Sequence, residues 1–218
     1  MKPRPRVLLA DDHRIVLEGL RSLLGNEFEL VGEAGNGQEL IERAKELRPD
    51  VAVVDVSMPV LNGIDAVQKM RAEGDDTKVI FLTMHPDSVY ANRAMAAGAA
   101  GYVLKHAASE ELVGAIRIVL ADGIYVSPQV KVSTTARQGD DGRRGARARV
   151  DLTTRQREVL QLIAEGRSAR EIGEVLGISA RTVETHKYRM MDELGLGTTA
   201  ELVQHAVRLG LVQAHREG

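Results

Sequence analysis

The chain has 218 residues, 44% apolar and 28% charged, with a formal charge of −2 and no cysteine. That length suits one or two domains with a real core, and the lack of cysteine excludes disulfides and thiolate metal sites. Its apolar runs are too short for a signal peptide or a membrane span, so a cytoplasmic protein with no membrane contact is expected.

Charge divides the chain. Residues 1–128 carry 14 basic and 19 acidic side chains, a balance of −5; residues 129–218 carry 15 and 12, a balance of +3. Two jobs are implied, with nucleic acid a candidate partner for the second.

From the N-terminus, short apolar runs stand at VLLA (7–10), FELVGEA (28–34), VAVVD (51–55), VIFLT (79–83) and GYVLK (101–105). Helical spacing follows each, beginning with Ile15, Leu17, Leu20, Leu23 and Leu24 and ending with Leu112, Ile116, Val119 and Leu120. Five strands alternating with five helices predict an α/β domain, a doubly wound parallel sheet of five strands, over residues 1–128. Ligands of such sheets bind beyond the carboxyl ends of the strands.

Residues 129–150 are rich in Gly, Arg, Ser and Thr and carry six basic residues against Asp140 and Asp141, which reads as a flexible basic linker. From 151 to 218 the pattern is helical. Capping boxes at Thr153/Gln156, Ser168/Glu171 and Thr198/Glu201 open segments that Gly166, Gly177, Gly195 and Gly210 close. Helices are expected near 154–165, 169–176, 180–194 and 199–209, a small all-α four-helix domain with a helix-turn-helix across EVLGIS.

Why a core strand should stop on an acid, as VAVVD does at Asp55, is answered by its neighbours. The first strand runs into Asp11 and Asp12, the fourth ends at Thr83 and the fifth at Lys105. In a parallel sheet these ends share one edge. Clustered carboxylates repel, and a divalent cation relieves the repulsion; oxygen-only ligands suit Mg²⁺. The ammonium and hydroxyl of Lys105 and Thr83 suit a phosphoryl group. Asp55 is then a nucleophile that accepts phosphoryl as an acyl phosphate, and Ser57 is placed to offer its carbonyl to the metal. Singly, Asp12 could be a helix cap and Thr83 an ordinary strand residue. The set of four strand ends in this order is what points to chemistry.

The segments DD (11–12), DVSMPVLNG (55–63), LTMH (82–85) and GYVLK (101–105) resemble the receiver domain of two-component response regulators, across nearly all of residues 6–122. The resemblance implies strand order 2-1-3-4-5. It also implies Mg²⁺ on Asp12, Asp55 and the Ser57 carbonyl with Asp11 acting through water, and phosphate taken from a sensor histidine kinase. Thr83 and Tyr102 match its switch pair. Many receivers carry proline after the lysine, often with a cis bond; here His106 follows. His85 falls where receivers tune acyl-phosphate hydrolysis, and His13 reads as a structural or surface residue.

Residues 152–212 resemble the LuxR-type helix-turn-helix domain of the NarL/FixJ class, through REVL (157–160), LGIS (176–179) and TVETHKYRMMDELGL (182–196). The resemblance implies double-stranded DNA as partner and a recognition helix at about 180–194, with Val183, Met190, Met191 and Leu194 inward. Candidate DNA contacts are Arg181, Thr182, Glu184, Thr185, Lys187, Tyr188 and Arg189. Of these, Arg181, Lys187 and Arg189 suit phosphate, and Glu184, Thr185 and Tyr188 suit base edges. Residues 151–218 hold nine basic and ten acidic residues, so charge alone does not argue for DNA. Gly173 stands where alanine is usual, at a cost of about 1 kcal/mol to its helix. Leu202, Val203 and Ala206 on the last helix would serve dimerisation, or core packing alone.

The reading is a DNA-binding transcriptional regulator and not an enzyme, activated by phosphorylation of Asp55 that promotes homodimers or frees the recognition helix. An aspartyl-phosphate phosphatase is the first rival, but DVS lacks the second acid of a DxD motif and follows the third strand. A receiver acting only as a protein-interaction module is the second.

Overall fold

Side-chain alternation builds the N-terminal unit. In the computed structural model, which describes residues 3–84, 86, 88–130 and 152–212, β1 (Arg6–Ala10), β3 (Val51–Asp55), β4 (Lys78–Thr83) and β5 (Gly101–Leu104) send successive side chains to opposite faces of one sheet. Val7, Leu9, Val51, Val53, Ile80, Leu82 and Val103 join a core with α1 (Arg14–Leu24) and α5 (Ala108–Leu120). Leu8, Ala10, Ala52, Val54, Val79, Phe81, Tyr102 and Leu104 join another with α2 (Gly37–Leu47), α3 (Gly63–Ala72) and α4 (Ser88–Ala96). Both faces are covered, so the central strands carry unbroken apolar runs instead of a polar alternation.

The sheet is wholly parallel, in the order β2-β1-β3-β4-β5-β6, with β2 at Glu29–Ala34. The expected order of five strands is present, and a sixth strand, β6 (Tyr125–Val126), extends it beyond β5. Two residues are too few to show a period, so β6 is silent in the sequence. Its hold comes from the flanks. Ser127 N donates to Tyr102 O at 2.9 Å, Leu104 N donates to Ser127 Oγ at 3.1 Å, and Ser127 Oγ donates to the Glu111 carboxylate.

The chain separates into two compact units, Met1–Val132 and Ser133–Gly218. Of the expected linker 129–150, only Gln129 and Val130 lie among the described residues. Val130 is buried in the second sheet core, and His106 Nε2 lies 2.6 Å from Gln129 Oε1. Both residues therefore belong with the N-terminal unit, and residues 131–150 of the expected linker lie outside the described residues.

In the C-terminal unit, α6 (Thr154–Ala164), α7 (Ala169–Leu176), α8 (Ala180–Leu194) and α9 (Thr199–Arg208) fall within a residue of expectation. All three capping boxes are formed. Leu152, Val159, Leu160, Leu162, Ile172, Val183, Met190, Leu202, Ala206 and Leu211 make its core. The turn after α7 closes tightly: a Cβ on Gly173 would stand 2.6 Å from Ile178 O, so glycine rather than alanine admits this approach.

Hydrogen bonds from the cap hold Glu171 and Glu201 below the usual carboxylate range, through Ser168 for Glu171 and through Gly197 and Thr198 for Glu201. A carboxyl whose folded pKa is depressed contributes above its ordinary value of 4.5 and loses that contribution as pH falls through the folded value. The C-terminal unit is therefore expected to lose stability on acidification below that point, and a Glu171→Gln, Glu201→Gln double variant to show a flatter acid limb in thermal melts followed by circular dichroism.

Candidate functional site

The carboxyl edge of the sheet gathers the residues that sequence places at strand ends. Asp11 directly follows β1, Asp55 ends β3, Thr83 ends β4 and Lys105 directly follows β5. Lys105 Nζ lies 2.8 Å from Asp55 Oδ2 and 2.7 Å from Asp11 Oδ2. Asp11 and Asp55 are each 2% exposed and Thr83 is fully buried, so these groups meet in a pocket shielded from bulk water.

Burial pushes the Asp55 carboxyl up from its ordinary range, against the pull of the Lys105 ammonium and with help from the Asp11 charge. For Lys105, burial alone would lower the ammonium; the charges and hydrogen bonds of Asp55 and Asp11 outweigh it and hold Lys105 above its ordinary value. A nucleophile must be ionised, so one lysine is too little positive charge for two buried carboxylates.

The residues fit a divalent cation. Donor atoms of Asp11, Asp12, His13 and Asp55 lie within 4.8 Å of one another. Asp11 Oδ2 is sealed from solvent and pairs with the Lys105 ammonium at 2.7 Å, the same ammonium that Asp55 uses. Two buried carboxylates sharing one ammonium are what a divalent cation would balance. Ser57 is buried two residues beyond Asp55.

The loop after Asp55 is drawn in by two devices. A Cβ on Gly63 would stand 2.1 Å from Asp55 O, so only glycine lets α3 start against the end of β3. Asn62 then caps α3, accepting from Asp65 N at 3.0 Å. Between Pro59 and Leu61 the chain makes a γ-turn, with Leu61 N donating to Pro59 O at 2.7 Å and Val60 at φ 68°. A β-branched residue in that region is strained by about 1–2 kcal/mol. Val60→Gly is expected to raise stability by about 1 kcal/mol, read as a rise in the midpoint of urea unfolding.

Tyr102 is fully buried, its side chain in the sheet core on the α4 side. Lys105–Ala107 form a 3₁₀ turn, and every peptide bond among the described residues is trans. His106 in place of proline leaves Lys105 within reach of both acids. His85 lies outside the described residues.

In the helical unit the expected inward residues of α8 hold: Val183 and Met190 are buried, and Met191 and Leu194 pack partly buried against them. Arg181, Thr182, Thr185, Tyr188 and Arg189 are exposed, Tyr188 at 64%. Glu184 and Lys187 are only half exposed and face each other, Lys187 Nζ standing 3.8 Å from Glu184 Oε2 and 5.8 Å from the Tyr188 ring centre. Two of the polar groups are occupied locally. Thr185 Oγ1 donates to Arg181 O at 2.9 Å, and Thr182 Oγ1 lies 2.8 Å from the capping Ser179 hydroxyl.

On α9 the three apolar candidates differ in burial. Leu202 and Ala206 are fully buried in the unit's own core, as core packing alone requires, and Val203 is half exposed. Sequence reasoning also passed over Glu111, whose bond to Ser127 fastens β6. Only its first-turn position on α5 was visible, and that reads as an ordinary helix-start acid.

Residues 7–117 match the family profile described as response regulator receiver domain, and residues 150–206 match that of the luxR family of bacterial regulatory proteins. The transcriptional regulatory protein MctR of Rhizobium johnstonii is 38% identical over 213 residues, spanning 97% of each chain. The response regulator GacA of Pseudomonas viridiflava is 34% identical, spanning 96% of this chain and 98% of its own. Among solved structures, RcsB of Salmonella typhimurium aligns with a TM-score of 0.65 at 27% identity, covering 95% of this chain and 98% of RcsB. A second RcsB structure, from Salmonella enterica serovar Typhimurium and bound to the promoter rprA with the phosphomimetic BeF₃⁻, aligns with a TM-score of 0.59 at 25% identity over 94% and 99%.

The fold and the site define a response regulator: a receiver followed by a helix-turn-helix unit. This chain belongs to the LuxR-type, NarL-class family of transcriptional response regulators, and it is not an enzyme.

Proposed function

We propose that Asp55 is the phosphoacceptor of a Mg²⁺-dependent switch that controls double-stranded DNA binding by α8. The observation that carries the reading is the Lys105 ammonium, 2.8 Å from Asp55 and 2.7 Å from Asp11 at the carboxyl edge of the sheet. An Asp55 oxygen attacks phosphorus of a phosphohistidine on a sensor kinase, the P–N bond breaks, and the imidazole leaves and takes a proton from solvent. Lys105 then pairs with a phosphoryl oxygen, and Thr83 supplies a hydroxyl from the end of β4. Bound at Asp11, Asp12, Asp55 and the Ser57 carbonyl, Mg²⁺ would offset phosphoryl charge. Tyr102 is the aromatic partner of Thr83 in the switch.

For the output, Arg181 and Arg189 are exposed cations suited to phosphate, while Tyr188 and the Thr185 methyl suit base edges. Lys187 and Glu184, paired with each other, must exchange that contact to join them. A homodimer would place two such helices on a two-fold site and raise affinity through effective concentration. Its contacts on α9 would come from Val203 and exposed neighbours rather than Leu202 and Ala206, and residues 131–151 would serve as tether between the units. The protein is expected to act in the cytoplasm, where DNA and kinase meet.

The test is DNA retention and sedimentation of the chain before and after phosphorylation with acetyl phosphate. Tighter binding with a shift to dimer supports the reading; identical behaviour of both forms counts against it. Arg189→Ala should weaken binding to all sequences alike and lower the slope of log affinity against log salt by about one per bound unit.

A further inference from the structure

We propose that Ser127 and Glu111 are positioning residues for phosphoryl transfer: together they fix the end of β5 on its outer edge and so aim the Lys105 ammonium. The proposal rests on the phosphoacceptor reading and names residues outside the acid pocket that serve it.

The ladder between β5 and β6 shows why a side chain is needed there. Tyr125 N donates to Ala100 O at 3.0 Å, and Ser127 N donates to Tyr102 O at 2.9 Å. By that parallel register the next bond would run from Leu104 N to the Ser127 carbonyl. Pro128 turns the chain away, and the Ser127 carbonyl accepts from Val130 N at 2.9 Å instead. The Ser127 hydroxyl takes over, accepting from Leu104 N at 3.1 Å in a buried position.

A hydroxyl has a single proton to give and lone pairs to spare. Ser127 gives its proton to the Glu111 carboxylate on the first turn of α5, which leaves the lone pairs for Leu104 N. The Tyr125 phenol bonds the same carboxylate; burial first, and Glu111 second, hold it above its ordinary value. Lys105 comes next in the chain. Its ammonium rides on a long flexible stem and meets Asp11 at 2.7 Å and Asp55 at 2.8 Å, so its reach depends on where the backbone leaves the strand. On the inner edge β4 sets that point, Thr83 lying opposite Leu104. On the outer edge the Ser127 hydroxyl sets it. Just beyond Lys105, the exposed contact of His106 Nε2 with Gln129 Oε1 at 2.6 Å adds a weaker hold, so the segment after β6 grips the chain on both sides of the lysine.

The test is amine labelling of the full chain in metal-free buffer, beside phosphorylation by acetyl phosphate with Mg²⁺, both read by mass. The Lys105 side chain is 12% exposed and should label slowly in the parent. Ser127→Ala and Glu111→Ala are expected to raise its labelling rate about threefold or more and to slow phosphoryl gain by a similar factor. Lys78, paired with Asp122, is the internal control and should label as in the parent. Glu111→Gln keeps an acceptor for the Ser127 proton and should stay within about twofold of the parent on both counts. Glu111 is only partly buried, so its variants decide the matter should Ser127→Ala not fold. Lys105 labelling unchanged in the alanine variants, or raised together with that of Lys78, would overturn the positioning role and leave Asp55 as phosphoacceptor. Faster labelling with phosphorylation at the parental rate would overturn its service to the reaction. A parent that gains no phosphoryl group at Asp55 would take down the phosphoacceptor reading and this proposal with it.

Discussion

Asp55→Asn is expected to abolish the Mg²⁺-dependent gain of one phosphoryl group from acetyl phosphate, measured by intact mass. The substitution keeps the shape of the side chain and its place at the end of β3. What it removes is the charge and the nucleophilic oxygen: an amide is no nucleophile toward phosphorus, so the loss should be complete rather than partial. A phosphoryl group still gained by the variant would move the nucleophile elsewhere. No gain in either protein would leave a receiver switched by partner binding.

The same variant should melt at a higher temperature than the parent in metal-free buffer at neutral pH. Burial and the charge of Asp11 both work against an ionised Asp55, and the Lys105 ammonium does not fully offset them. A neutral isostere escapes that cost while keeping the packing. Sites that must hold like charges together commonly weaken the fold that carries them. A lower melting temperature for Asp55→Asn would show that the pairing with Lys105 outweighs the burial.

Much of this was legible in the sequence because the signals were redundant. Each central strand is an unbroken apolar run ended by a functional residue, and each of three C-terminal helices opens with a capping box. What was not legible shares a cause. Tyr125–Val126 is too short to show a period and is held by Glu111 and Ser127, partners remote from one another in sequence. Leu202 and Ala206 are apolar on a terminal helix, which a core and an interface require equally, and only the packing with Val159, Leu160 and Met190 separates the two. His13 offered no periodic signal at all, and its turn toward the acids depends on the path of the chain into α1.

Glycine at 63 is the position where sequence, fold and site are most tightly joined, and Gly63→Ala is expected to cost about 3 kcal/mol or more. The added Cβ would stand 2.1 Å from Asp55 O, 2.9 Å from Val54 Cγ1 and 3.1 Å from Asp55 C. Backbone cannot swing aside as a long side chain can. The end of β3 is pinned by its register with β4, Asp55 lying opposite Leu82, and Gly63 N is itself tied to Val56 O at 2.9 Å. Relief must come from moving the strand end or the start of α3, and either displaces the Asp55 carboxylate from Lys105. Stability and phosphorylation rate should therefore fall together. Gly19→Ala on α1 is the control, because a Cβ there meets no atom within 4 Å. In a helix interior that change should stabilise by about 0.5–1 kcal/mol and leave phosphorylation alone. Chemical denaturation of the two variants beside the parent gives the answer: opposite shifts support close approach at Gly63, whereas a Gly63→Ala protein as stable and as readily phosphorylated as the parent would remove that constraint from the site.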